Sequence, residues 1–172
     1  DPTIRLWNIE TGVRKLTLSG HRDSINAMLL TPDRRTLISG SSDKTIRLWN
    51  LSKVGQVKIL RGHSSPIEAL ALSPDGQMLA SGGRNGTIRL WDLARGVQLR
   101  ALTGHRDRVL SIAFSPDGQT LVSSSADRTL RFWNTFPGQE VKSFTDLETP
   151  VNHLVYVVDT PPDRPKTGKM VQ

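Results

Sequence analysis

The chain has 172 residues, 36% of them apolar, and a net charge of +7 from 23 Lys and Arg against 16 Asp and Glu. That length suits one domain with a core of its own. No apolar run reaches transmembrane length, no charged-then-apolar leader opens the chain, and no cysteine offers a disulfide or a thiolate metal site. The cysteine count fits a reducing compartment, so a cytoplasmic location is expected, and the positive charge favours acidic partners.

From its first residues the chain keeps time. Trp-Asn or Trp-Asp stands at 7–8, 49–50, 91–92 and 133–134, each 42 positions after the last. Gly-His recurs at 20–21, 62–63 and 104–105, and a proline turn at 31–34, 73–76 and 115–118. A fixed period of this size marks a repeat architecture in which one supersecondary unit is copied and stacked.

Residues 1–19 are out of step with a whole unit: subtracting 42 from Asp43 and Trp49 gives Asp1 and Trp7, so the chain opens at a tight turn, halfway through a repeat. The first full repeat, 20–61, starts with an apolar strand at 24–30. The near-continuous apolar runs here, at 67–72 and at 109–114 predict strands covered on both faces. The turn Thr31-Pro32-Asp33-Arg34 follows; proline presets φ, aspartate suits the third position, and Arg34 stands where the other copies have glycine, which predicts slight strain.

A second strand is predicted at 36–41, then a tight turn at Asp43-Lys44, a third strand at 45–49 and a polar outer strand at 56–60. The second repeat, 62–103, places its strands at 67–72, 78–83, 87–91 and 97–102, with Asn85-Gly86 at the tight turn. That dipeptide is a strong hairpin signal because both residues tolerate positive φ. The third, 104–145, places them at 109–114, 120–125, 129–133 and 140–144, with Asp127-Arg128 at the turn. Beyond it, 151–157 keeps phase with the first strands and is expected to be the inner strand of a further unit, within a degenerate stretch 146–160. The residues 161–172 read as a proline-rich loop or tail.

Gly-His near the start, Trp-Asp near the end and this period resemble the WD-repeat β-propeller family, and the regular Ser-Pro-Asp-Gly-Gln phrasing is similar to its multi-repeat bacterial members. The resemblance implies an all-β fold: a partial ring of about four four-stranded antiparallel blades, spanning 1–160. Propellers close with roughly 4–8 blades. The inventory of half a blade, three full blades and one further strand therefore reads as part of a larger ring, such as seven blades needing about 290 residues. The alternative is a small ring completed by both termini, or by a second copy.

Every full repeat also holds His, Ser and an Asp or Asn, the ingredients of a nucleophilic triad. The sets are His21, Ser39, Asp43 with Trp49; His63, Ser81, Asn85 with Trp91; and His105, Ser123, Asp127 with Trp133. An enzyme needs one such constellation in one cleft, whereas here it is copied per blade. The family resemblance implies buried hydrogen-bonded chains, histidine joining the turn aspartate to serine and serine meeting the indole. Asn85 lacks the carboxylate, so its bond to His63 is expected to be the weakest of the three. His153 falls where the other repeats have Ala27, Ala69 and Ser111; a degenerate strand explains it better than a ligand or pH sensor, since no partner ligands lie near it in sequence.

No catalytic residue, cofactor or metal site is expected. The family implies partner contacts at the loop residues after Gly-His and before the tight-turn residue: Arg22, Ser24 and Ser42; Ser64, Pro66 and Arg84; Arg106, Arg108 and Ala126. Arg22, Arg84, Arg106 and Arg108 predict a basic top face, partly offset by Asp23 and Asp107. The expected function is a non-catalytic protein–protein interaction scaffold taking acidic segments of other proteins. Nucleic acid is the weaker alternative, since one tyrosine and four committed tryptophans leave little for base stacking. A regulatory role within a larger, enzymatic polypeptide is a further alternative. No membrane insertion is expected.

Overall fold

The computed structural model describes residues 2–53 and 55–155, so the readings of Asp1, of 156–160 and of the tail lie outside the described part. Fourteen strands are described. They are β1 (Thr3–Trp7), β2 (Arg14–Ser19), β3 (Ile25–Leu30), β4 (Thr36–Ser41), β5 (Thr45–Asn50), β6 (Val57–Arg61), β7 (Ile67–Leu72), β8 (Met78–Gly83), β9 (Ile88–Asp92), β10 (Val97–Leu102), β11 (Val109–Phe114), β12 (Thr120–Ser125), β13 (Leu130–Asn134) and β14 (Glu140–Phe144). Three four-stranded antiparallel sheets, β3–β6, β7–β10 and β11–β14, follow the two-stranded sheet β1–β2. Each sheet is a simple meander, because every connection is a short hairpin. The inner strand β7 lies against both β3 and β11, so the sheets share an inner edge and fan outward, and among the described residues they do not close into a ring.

Packing runs between sheets. Ile38, Ile46, Leu48 and Leu60 of the second sheet meet Ile67, Leu70, Leu79 and Trp91 of the third. One step on, Ile88, Leu90 and Leu102 meet Val109, Ile112, Leu121 and Trp133. Full burial of one such aliphatic side chain is worth about 1.5–3 kcal/mol, and each blade supplies the same positions again. Close approach needs small residues on the second strand: a Cβ at Gly82 would stand 2.6 Å from Val109 Cγ1 of the next blade. On the outer rim, Lys58 Nζ reaches across one seam to the carbonyls of Ala94 at 2.8 Å and Leu93 at 3.3 Å. At the next seam Arg100 lies over the Phe136 ring, 4.6 Å from its centroid.

The structure differs from the sequence expectation in three places. The inner strand β3 is covered on one face only, with Met28 and Leu30 exposed, because the described part of the preceding sheet consists of β1 and β2 alone. Residues 151–155 form no ladder; their link to the last sheet is the Leu154 N–H donating to Ser111 Oγ at 3.1 Å, and His153 is exposed.

The tight turns are the third difference. Positive φ falls on Lys44 (69°), Gly86 (79°) and Arg128 (64°) but not on the residue before each. The N–H of Lys44, Gly86 and Arg128 donates to the carbonyl of Ser41, Gly83 and Ser125 respectively. This is a type I turn closed by one left-handed residue, as in three-residue hairpin loops. It leaves Asp43 and Asp127 in ordinary backbone geometry with side chains turned inward. The proline turns use the same device, with Arg34 at φ 58° where Gly76 and Gly118 have 71°.

Candidate binding face and the buried networks beneath it

In the β3–β6 sheet, Ser39 Oγ accepts the Trp49 indole N–H at 2.9 Å and lies 2.7 Å from His21 Nε2. His21 Nδ1 stands 2.8 Å from Asp43 Oδ2. The serine hydroxyl then donates to Nε2, and the Nδ1–H donates to the carboxylate, an assignment made from the network. The last full sheet repeats the chain at His105, Ser123 and Trp133 with distances of 2.7 and 2.8 Å. Its Nδ1 finds Thr129 Oγ1 at 2.9 Å and Asp127 Oδ2 at 3.4 Å.

In the middle sheet His63, Ser81 and Trp91 hold the same 2.7 and 2.8 Å spacing, but the expected bond from His63 to Asn85 is absent. His63 Nδ1 is buried without a partner, and the Asn85 amide faces outward, accepting from Ser65 Oγ at 2.9 Å and donating to Ser64 Oγ at 3.3 Å. The cause lies in two accompanying changes. Ser41 and Ser125 donate to the carbonyls of Asp23 and Asp107 at 3.0 Å; here Gly83 replaces that serine and Ser65 replaces the aspartate. The Ser65 hydroxyl fills the space left by the missing side chain and draws the amide to itself.

Electrostatics follow burial. Burial, with the nearby charge of Arg89, pushes His63 down to about 4. Burial also lowers His21 and His105, offset in part by Asp43 and Asp127. Asp43 is itself lowered: burial opposes this, but hydrogen bonds from Thr45, the Arg22 N–H and His21 outweigh it. Ser39, Ser81 and Ser123 are 0% exposed. A hydroxyl sealed from solvent and engaged by an indole reaches no substrate, so the triad look-alikes work as struts.

The same networks set the loops above them. Asp43 Oδ2 accepts the Arg22 N–H at 2.9 Å and Asp127 Oδ2 the Arg106 N–H at 2.8 Å, so the carboxylate that ties down histidine also fixes the backbone of the arginine beside it. The other loop positions meet in pairs: Ser42 N–H donates to Ser24 O, Arg84 N–H to Pro66 O and Ala126 N–H to Arg108 O, at 2.8–3.0 Å. Arg22, Ser24, Ser64, Arg84, Arg106 and Arg108 are exposed, while Ser42, Pro66 and Ala126 are half-buried.

Arg84 is not the free cation that its sequence position suggests. Its Nε and its terminal NH2 both donate to Glu68 Oε1 at 2.7 Å. In the first full blade the same inner-strand position is Asn26, which donates to Ser42 Oγ at 3.0 Å and to Ile67 O of the next blade at 2.8 Å. Sequence reasoning passed over Asn26 and Glu68, although both break an apolar run at one repeat position. It also passed over Thr45 and Thr129, which recur and hold the turn carboxylates at 2.6 Å.

Meandering four-stranded sheets about a shared inner edge, each stitched by a histidine–serine–tryptophan chain, define a β-propeller repeat protein. Residues 12–50, 55–92 and 96–134 match the family described as WD domain, G-beta repeat, and the chain belongs to that WD40 family. It is similar to the nuclear distribution protein PAC1 of Coccidioides posadasii (strain C735), 41% identical over 44 residues, which is 26% of this chain and 9% of that protein. Among solved structures, the RRP9 WD40 repeats and U3-55K each superpose with a TM-score of 0.74 at 32% identity. In both cases the match covers 79% of this chain and 43% of the other, so the chain spans under half the length of these relatives.

Proposed function

We propose that the chain is a non-catalytic interaction scaffold that takes acidic segments of other proteins on the loops bearing Arg22, Arg106 and Arg108. One observation carries the reading. Among the described residues these three exposed guanidiniums have no carboxylate partner, whereas Arg84 is paired with Glu68 and Arg131 with Glu140. Asp23 and Asp107, which dilute the charge of these loops, turn back to accept the N–H of Ser24 at 2.7 Å and of Arg108 at 2.6 Å. Arginine's planar fork suits carboxylates, and the anchored backbone of Arg22 and Arg106 lowers the ordering cost of binding.

The test is fluorescence anisotropy with a labelled Glu-rich peptide. The double reversal Arg106→Glu/Arg108→Glu is expected to weaken binding at least tenfold, since one charged hydrogen bond is worth about 1.5–3 kcal/mol. Reversal of Arg84 alone should do less, because its partner Glu68 already satisfies it. Unchanged affinity in the double variant rules the assignment out. Binding of duplex DNA that falls steeply with salt would instead favour nucleic acid.

A further inference from the structure

The middle blade departs from its neighbours at one corner, and the departure leaves a reactive pair of residues there. Asn85 is the one amide among the three tight-turn residues Asp43, Asn85 and Asp127. Of the six asparagines in the chain it is also the one followed by glycine. Asp43 and Asp127 are half-buried, whereas Asn85 is exposed, because Ser65 and Gly83 turn its side chain outward.

The amide is set up as an electrophile. Its Oδ1 accepts from Ser65 Oγ at 2.9 Å and from the Thr87 N–H at 3.3 Å. Two donors therefore already face the oxygen on which negative charge builds when Cγ is attacked. Nδ2, the leaving side, is held loosely, donating to Ser64 Oγ at 3.3 Å. The nucleophile next in the chain is the Gly86 nitrogen, and glycine brings no Cβ to crowd its approach. The Gly86 N–H rests on Gly83 O at 3.1 Å, a single hydrogen bond in an exposed turn, of the kind that local opening breaks. Packing keeps this residue a glycine, since an added Cβ would stand 2.4 Å from His105 O of the next blade.

We propose that Asn85 is a self-modification site, at which the chain converts its own amide to a carboxylate. The Gly86 N–H gives up its proton to solvent base, the nitrogen bonds to Asn85 Cγ, and Nδ2 leaves as ammonia with a proton from water. Water then adds to Cγ of the resulting succinimide, breaks the new C–N bond and leaves aspartate at position 85. Opening at the backbone carbonyl instead would give isoaspartate and lengthen the main chain by one carbon. The turn is pinned between Gly83 O and His105 O, so the folded chain favours aspartate. Conversion lowers the net charge of +7 by one and places a carboxylate beside Ser64.

Incubation of the native chain in heavy-oxygen water at mildly alkaline pH, followed by digestion and mass spectrometry, tests the proposal. The heavy oxygen marks conversion that occurred in the folded chain and not during digestion. A synthetic peptide spanning 81–90 serves as the unstructured reference. Label should enter at residue 85 ahead of the other five asparagines, and Ser65→Ala should slow it severalfold by removing one donor from Oδ1. Aspartate should exceed isoaspartate in the folded chain, while isoaspartate, the usual product of an unrestrained ring, should lead in the peptide. Absence of label at residue 85 over the time that converts the peptide overturns the proposal. So does an unchanged rate in Ser65→Ala, or isoaspartate as the main product of the folded chain. The readout uses no peptide ligand, so its failure and the failure of the binding-face assignment are separate results.

Discussion

Ser81 receives the Trp91 indole N–H and meets His63 Nε2 with no solvent near it. Replacing it with alanine leaves two buried polar groups without a partner, a cost of about 1–3 kcal/mol for each. Ser81→Ala should therefore lower the urea midpoint markedly and leave binding of the Glu-rich peptide unchanged at temperatures where the chain stays folded. A catalytic serine would show the reverse, losing activity at constant stability. His63 adds a pH signature. Its folded pKa lies near 4 against an ordinary 6.5, so above 6.5 both states are neutral at this residue and it adds no pH dependence. As pH falls from 6.5 towards 4 the unfolded chain takes up the proton first, and stability drops by about 1.4 kcal/mol per pH unit. Urea titrations at pH 7 and pH 5 should show that loss, with His21 and His105 acting in the same direction, and Asn85→Asp combined with Ser65→Asp and Gly83→Ser should reduce it by giving Nδ1 a carboxylate.

At the scale of the strand and the turn, most boundaries were legible because apolar runs, proline turns and tryptophans recur in one frame. The strands β4, β7, β8, β10, β11, β12 and β14 fall where the sequence places them. Turn geometry was less legible. Asn85-Gly86 reads as a two-residue hairpin with two left-handed residues, yet only Gly86 is left-handed, the same backbone as the turns at Asp43-Lys44 and Asp127-Arg128. The exchange at Ser65, Gly83 and Asn85 was legible only at Asn85, because a compensation among residues 18 and 20 positions apart shows itself only once the sheet brings them together. It can be tested as a unit. A Cβ at Gly83 would meet Asn85 Oδ1 at 2.7 Å, Ser65 Oγ at 2.9 Å and His63 Nδ1 at 3.1 Å, so Gly83→Ser alone should destabilise the chain by about 1–2 kcal/mol. Combined with Ser65→Asp and Asn85→Asp it should recover that loss, a coupling that thermal melts of the single, double and triple variants measure.

Over the whole molecule, the repeat divides labour between what is copied and what is not. In the three full blades the copied network residues are buried: His21, His63 and His105, Ser39, Ser81 and Ser123, and Trp49, Trp91 and Trp133. Several residues that differ between blades lie at the surface, among them Arg22 against Ser64, and exposed Asn26 against the half-buried Glu68 and Leu110. The WD40 fold was legible in the period together with its Gly-His and Trp-Asp motifs, and the struts only as what that family resemblance implies. The charge map was not legible, because whether an arginine is free depends on a carboxylate across the hairpin, as Arg84 and Glu68 show. The most direct test is a titration of the 15N-labelled chain with the Glu-rich peptide, followed by NMR. The account predicts that the amides of Arg22, Arg106 and Arg108 and their loops shift, while the indole N–H signals of Trp49, Trp91 and Trp133 stay fixed and protected from exchange. Shifts centred on those indoles, with the loop amides still, would contradict it.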